Sequence, residues 1–94
     1  MAKAVWNGRV IAESLNTQVV DGYTYFPPES VNRDLLRPSP KHTTCGWKGT
    51  ADYFDVVLGD EVNPNAAWSY PRTLEAARHI QGWIGFWNGV RVET

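Results

Sequence analysis

"TADYFDVVLGDEVNPNAAWSY", Thr50 to Tyr70, decides how the chain is read. Two segments rich in β-branched and aromatic residues flank Gly59-Asp60, a dipeptide suited to a two-residue hairpin turn. With that turn Ala51 faces Trp68, Tyr53 faces Ala66 and Gly49 faces Tyr70, so small residues oppose large rings. Side chains alternate along a strand, which places Tyr53, Trp68 and Tyr70 on one face. Pro64 has no N–H to give to a ladder, so a bulge or an edge position is expected there.

Working outward, Asn7-Gly8 and Asn88-Gly89 are each flanked by short apolar segments, the pattern of a type I′ hairpin. The first pairs Val5 with Val10 and Trp6 with Arg9. The last pairs Trp87 with Val90 and Gly85 with Val92, gathering Trp83, Gly85, Trp87, Val90 and Val92 on one face and Ile84, Phe86, Arg91 and Glu93 on the other. "NTQVVDGYTYFPP" reads as one strand bent at Gly22. "ESVNRDLLRPSP" reads as a short helix capped by Ser30 and running through Leu35 and Leu36, with a loop over Pro38 to His42 because the prolines bar continuation. A second short helix is expected in "RTLEAARHIQG", with Thr73 as cap, Leu74, Ala77 and Ile80 along one side, and Gly82 just past its end. The fold class is therefore mainly β: one compact domain over residues 1–94, built of coiled antiparallel sheets or hairpins in a tent-like or barrel-like arrangement, with two short helices.

Ninety-four residues hold one core, and 43% hydrophobic against 20% charged residues is the balance of a folded, soluble domain. Nine basic and ten acidic residues give a net charge of -1 without a run of either sign. That balance argues against nucleic acid as a partner, which demands a basic surface. No apolar stretch approaches the roughly 20 residues of a membrane span, and the N-terminus lacks the apolar core of a signal peptide. One cysteine forms no internal disulfide. The expected address is cytoplasmic, with no membrane partner and either a monomer or a homodimer. The skewed feature is the aromatic content of five Trp, four Tyr and three Phe.

Chemistry concentrates in "HTTCGWKGTADYFDV", His42 to Val56. "GWKGT" has the wrong order for a phosphate-binding loop, since Lys48 precedes Gly49-Thr50 and a strand pattern follows. Cys45, His42 and His79 are too few and poorly spaced for a zinc site, while Asp52 and Asp55 point to opposite faces of a strand, so no metal site and no cofactor are expected. Cys45 is a candidate nucleophile, with His42 or Lys48 tuning its proton; against this, most lone cysteines pack as small hydrophobes. Trp47, Tyr53, Trp68 and Tyr70, with Lys48 beside them, are the candidate ligand-binding residues. Rings with phenol and indole tips suit a small planar or cationic ligand, although buried aromatic clusters are also ordinary core.

"TTCGWKGTADYFDV", "AAWSYP", "GWIGFWNGVRVE", the early "VWNGRVIAES", "YFPPESV" and "LLRPS" together resemble the small bacterial family known as domain of unknown function 427, over essentially all 94 residues. The most specific part is Cys45, Lys48, Gly49, Ala51 and Tyr53, followed by Ala67-Trp68-x-Tyr70. Gly46 stands where that family often has proline. The resemblance implies a compact β-rich fold similar to the tent-like sheets of methionine sulfoxide reductases and of the drug-binding domain of cereblon. The family is sometimes labelled nucleotidyltransferase-like, but the glycine-serine loop and paired aspartates expected of that chemistry are missing.

Three functions follow as expectations. The first is binding of an unknown small molecule through an aromatic-lined pocket. The second is an enzyme using Cys45 as a nucleophile or redox thiol. The third is a homodimeric interaction module joined through the Trp83, Trp87 and Val92 face. Whether the chain is an enzyme stays open on the sequence.

Overall fold

A computed structural model describes residues 1–94. Nine strands form two antiparallel sheets: β1 (Ala2–Trp6), β2 (Arg9–Ser14), β3 (Gln18–Val20), β4 (Tyr23–Phe26), β5 (Leu36–Cys45), β6 (Gly49–Leu58), β7 (Glu61–Ser69), β8 (Ile84–Phe86) and β9 (Arg91–Glu93). The smaller sheet runs β2-β1-β9 and the larger β3-β4-β8-β7-β6-β5. Both keep open edges, so the mainly β domain expected from the sequence is not a closed barrel.

The larger sheet buries both faces, and its strands carry a different set of residues on each. Phe26, Val56, Ala67, Ile84 and Phe86 pack with Ala4, Ile11 and Ala12 of the smaller sheet. The neighbouring positions Tyr25, Ala51, Tyr53, Trp68 and Tyr70 point the other way and pack with Ala77 and Ile80. This is period-two alternation with apolar residues at both parities, the pattern of strands covered on two sides.

The central hairpin begins as the turn dictates, with Leu58 opposite Glu61 and Val56 opposite Asn63. Beyond that point the register differs from the expected one. Pro64, Asn65 and Ala66 together oppose the single residue Asp55, and pairing resumes with Phe54 opposite Ala67, Tyr53 opposite Trp68 and Asp52 opposite Ser69. Pro64 withholds an N–H, and Asn65 takes a left-handed φ of 55° that its short amide side chain tolerates. Asp55 Oδ1 accepts from the Asn65 N–H at 2.9 Å and holds the bulge. The slip is two residues, an even number, so Trp68 and Tyr70 keep the expected face, while Ala66, inside the bulge, turns to the core between the sheets instead of facing Tyr53.

Three other expectations are corrected. Asn88-Gly89 does make a tight turn, with Val90 N–H donating to the Trp87 carbonyl, but it joins no hairpin. β8 already lies between β4 and β7 and has no free edge, so β9 crosses to pair with β1. Ile84, Phe86 and Val90 therefore share the core between the sheets, while Trp83 and Trp87 pack on the opposite side. The face on which a homodimer was expected is divided between these two sides. The segment from Gln18 to Phe26 is a hairpin rather than one bent strand, because Asp21 (φ 53°) and Gly22 (φ 82°) both adopt the left-handed conformation of a two-residue turn.

In place of the two expected helices stand three 3₁₀ segments, at Pro28–Ser30, Arg33–Leu35 and Glu75–Ile80. Ser30 caps nothing: its hydroxyl donates to the Pro27 carbonyl at 2.7 Å, while Asn32 caps the second turn by accepting from Asp34 N–H. Pro38 and Pro40 lie in a strand rather than a loop, tolerated because β5 is the outer strand and no ladder on its far side needs their N–H. In the last segment Thr73 gives its N–H and hydroxyl to Gln81, and a kink at Ala77 breaks the helix. Ala77 and Ile80 are buried, but Leu74 is exposed.

A Cβ at Gly85 would lie 2.6 Å from the Trp68 ring, whereas one at Gly46 would meet nothing within 4 Å. Gly85→Ala is expected to cost about 1–3 kcal/mol, as overpacking does. Gly46→Ala is expected to be neutral or to stabilise by up to about 1 kcal/mol by restricting the unfolded chain. Urea denaturation of the two variants should move the midpoint in opposite directions.

Candidate functional site

The second face of the larger sheet carries a cleft of about 170 Å³. Trp68 is its centre. Its indole packs edge-to-face with Tyr23 (centroids 5.0 Å apart), Tyr25 (5.9 Å) and Trp87 (5.7 Å), and lies tilted against Tyr53 at 6.4 Å. Tyr70 and Lys48 complete the lining. Pairing in register with Gly85 lets the indole lie across β8, where any other residue would displace it.

Each ring is placed by an identifiable backbone device. The Asp21-Gly22 turn starts β4 so that Tyr23 and Tyr25, two residues apart, share a face. The β7 bulge exposes the Asn65 and Ala66 carbonyls, which accept from the Trp87 indole N–H at 2.6 Å and its backbone N–H at 3.0 Å. Trp68 Nε1–H donates to the Tyr25 hydroxyl at 3.1 Å, and Tyr53 and Thr43 hydroxyls lie 3.1 Å apart. On β5, Lys41 and Thr43 lie on the Tyr53 side of the sheet. Lys41 Nζ sits 5.0 Å from the Tyr53 ring centroid and 6.0 Å from that of Trp87.

Of the five residues expected to bind a ligand, Lys48, Tyr53, Trp68 and Tyr70 converge on the cleft. Trp47 does not line it. Its ring is partly exposed beneath the Lys48 ammonium, 5.0 Å away. The cleft also contains Tyr23, Tyr25 and Trp87, which sequence reasoning missed. Reading Asp21-Gly22 as a turn rather than a bend would have found the two tyrosines.

Lys48 is 6% exposed, and its ammonium meets Asp21 Oδ2 at 2.6 Å. Burial by itself pushes the ammonium down, but the hydrogen bond to Asp21 and the neighbouring phenols outweigh it and hold Lys48 above the usual lysine range. Lys48 is thus a fixed cation rather than a base. Burial raises Tyr25, partly offset by the Trp68 N–H, and burial likewise raises Tyr70, so both phenols stay protonated.

The catalytic candidates are not assembled around one point. His42 Nδ1 pairs with Asp52 Oδ1 at 2.9 Å on the exposed side of β5, and its odd spacing from Cys45 sets the two on opposite faces. Cys45 is half-buried, and the backbone N–H of Trp47 draws its thiol below the ordinary range; burial opposes this, and the Lys48 N–H and charge assist it. Asp52 and Asp55 are separately engaged, Asp55 by Asn65 and by Arg37 at 2.9 Å, and no three His, Cys, Asp or Glu side chains gather where a metal ion could bind.

The model of the family described as "Domain of unknown function (DUF427)", labelled NTP_transf_9, matches residues 1–94, the whole chain. The chain belongs to this family. No curated protein gives a significant match. In this DUF427 domain the Cys45-x-x-Lys48-Gly49 segment acts first as a device of architecture. Gly49, at φ 115°, approaches the Arg72 carbonyl so closely that a Cβ would stand 3.0 Å from it, and the Lys48 carbonyl accepts from Leu74 N–H at 3.0 Å. That contact pins the 3₁₀ cover to the end of β6. No helix of the domain is long and apolar enough to cross a membrane.

The pH dependence of stability follows from these environments. Lys48, Tyr25 and Tyr70 all have folded pKa values above their unfolded ones, so the stability they contribute is full below about pH 10 and drains away as the pH climbs through the folded values. Asp55 has the opposite sign, held down first by the Asn65 N–H, and its contribution is lost as the pH falls below the carboxylate range. Asp21→Asn is expected to lower stability at pH 8 by about 1–3 kcal/mol and to flatten the Lys48 part of the alkaline limb, measured by denaturant titration from pH 7 to 11. Alkylation of folded protein by iodoacetamide should show Cys45 reacting with an inflection below that of a free thiol.

Proposed function

We propose that this domain binds a small molecule in the Trp68 cleft without transforming it. One observation carries the reading: six aromatic rings and one buried ammonium enclose an open space of about 170 Å³ on a face that Ala77 and Ile80 cover only in part. A cavity of about 150 Å³ accommodates benzene, so the space matches one six-membered ring with a small substituent. A nucleoside triphosphate is far larger, and the cleft has neither a glycine-rich loop nor a carboxylate pair for a metal ion. Cys45 has a favoured thiolate but no base aligned with it, and Lys48 is committed to Asp21. Positioning groups are present, and an oriented nucleophile–base pair is missing.

Trp68 and Trp87 report directly on occupancy. Titrating a library of single-ring compounds against intrinsic tryptophan emission is expected to give saturable shifts, with Kd between about 10 µM and 1 mM for ligands of this size. Trp87→Leu, a change at a partly exposed wall, should weaken the same compounds at least about tenfold. A folded protein whose emission no such compound shifts saturably would overturn the reading.

A further inference from the structure

The polar lining of the cleft is one-sided. Lys48 donates one N–H to Asp21 and keeps two, since an ammonium has three. The Tyr25 oxygen accepts from the Trp68 indole, which leaves its own O–H to donate. The Tyr70 hydroxyl has no partner within the protein, and since every fully sealed polar side-chain atom has one, it reaches the open space of the cleft. All three can donate, and the ammonium can do nothing else.

Charge points the same way. Lys41 stands at the mouth over Tyr53 and Trp87 and, unlike Lys3 or Lys48, has no carboxylate partner. Lys41 and Lys48 against Asp21 leave the site one positive charge. Three of the six rings lining the cleft already carry an ammonium, Tyr53 and Trp87 that of Lys41 and Tyr70 that of Lys48 at 5.8 Å, so a cationic ligand meets like charge there. Asp21 itself is 56% exposed at a turn, so its carboxylate occupies Lys48 from the solvent side.

We infer that the ligand is a single-ring carboxylate, its ring among Trp68, Tyr53 and Trp87 and its acid group on Lys48 and the Tyr70 hydroxyl, where it competes with Asp21. This rests on the cleft being a binding site and adds the ligand's charge and orientation. Asp21 then acts as a built-in surrogate for the ligand's acid group, keeping the buried ammonium paired while the cleft is empty.

The test uses three probes of nearly one shape: benzoate, benzamide and benzylamine, titrated at pH 7.5 against tryptophan emission. Benzoate is expected to bind at least about tenfold more tightly than benzamide, the scale of one charge-assisted contact, and benzylamine should not saturate. Asp21→Asn should tighten benzoate several-fold and leave benzamide unchanged. Lys48→Met, checked for folding by circular dichroism, should erase the difference between the two probes. Benzamide or benzylamine binding the wild type as tightly as benzoate would overturn the anion assignment and leave the cleft a binding site. Weaker benzoate binding in Asp21→Asn would overturn the competition. Silence of all three while another library compound binds would overturn the class; silence of every compound overturns both readings.

Discussion

The Trp68 indole lies flat across the backbone of β8, and it can do so only because its cross-strand partner is Gly85. A side chain at that position would push the ring outward, and with it the edge contacts to Tyr23, Tyr25 and Trp87. Those contacts connect β4, β7 and β8 on the cleft face, while Tyr53 adds β6. One absent Cβ thus sets the depth of the cleft and the packing of four strands.

The larger sheet assigns its two faces different tasks. The side facing β1, β2 and β9 is filled by aliphatic residues and by the edge-to-face pair of Phe26 and Phe86, with Ser69, opposite Ile84, as the buried polar residue on this face. The other side takes tyrosines, tryptophans and Lys48, whose polar tips require partners when buried. A cluster serving packing alone gains little from an ammonium, since a buried ion pair is seldom better for stability than an apolar pair of the same shape.

Much of this was legible in the sequence, and the failures have physical causes. The turn at Gly59-Asp60 and the alternation along β6 and β7 placed Tyr53, Trp68 and Tyr70 together correctly even though the pairing was off by two residues, because an even slip preserves faces. The same insensitivity hid the bulge: nothing local says how many residues Pro64 will displace. Asn88-Gly89 misled for another reason. A tight turn specifies chain reversal, and whether the strands after it pair depends on which edges earlier strands have occupied. The prolines of β5 misled in the same way, since their tolerance comes from an edge position that only the assembled sheet defines. Lys48 stood out in the sequence as a candidate, but its ion pair with Asp21 spans 27 positions and leaves no local trace.

The pairing of β1 with β9 sets Lys3 opposite Glu93 and Val5 opposite Arg91. Nearly the whole chain intervenes between these partners, so the loop they close is about as long as this domain can make, and its closure entropy is recovered only once both sheets are in place. During synthesis on a ribosome the β1–β2 hairpin emerges early yet must wait for the last strand, and the core between the sheets lacks one wall until then. Closure of the smaller sheet consequently waits for β9, and loss of either β1 or β9 unseals the same interior.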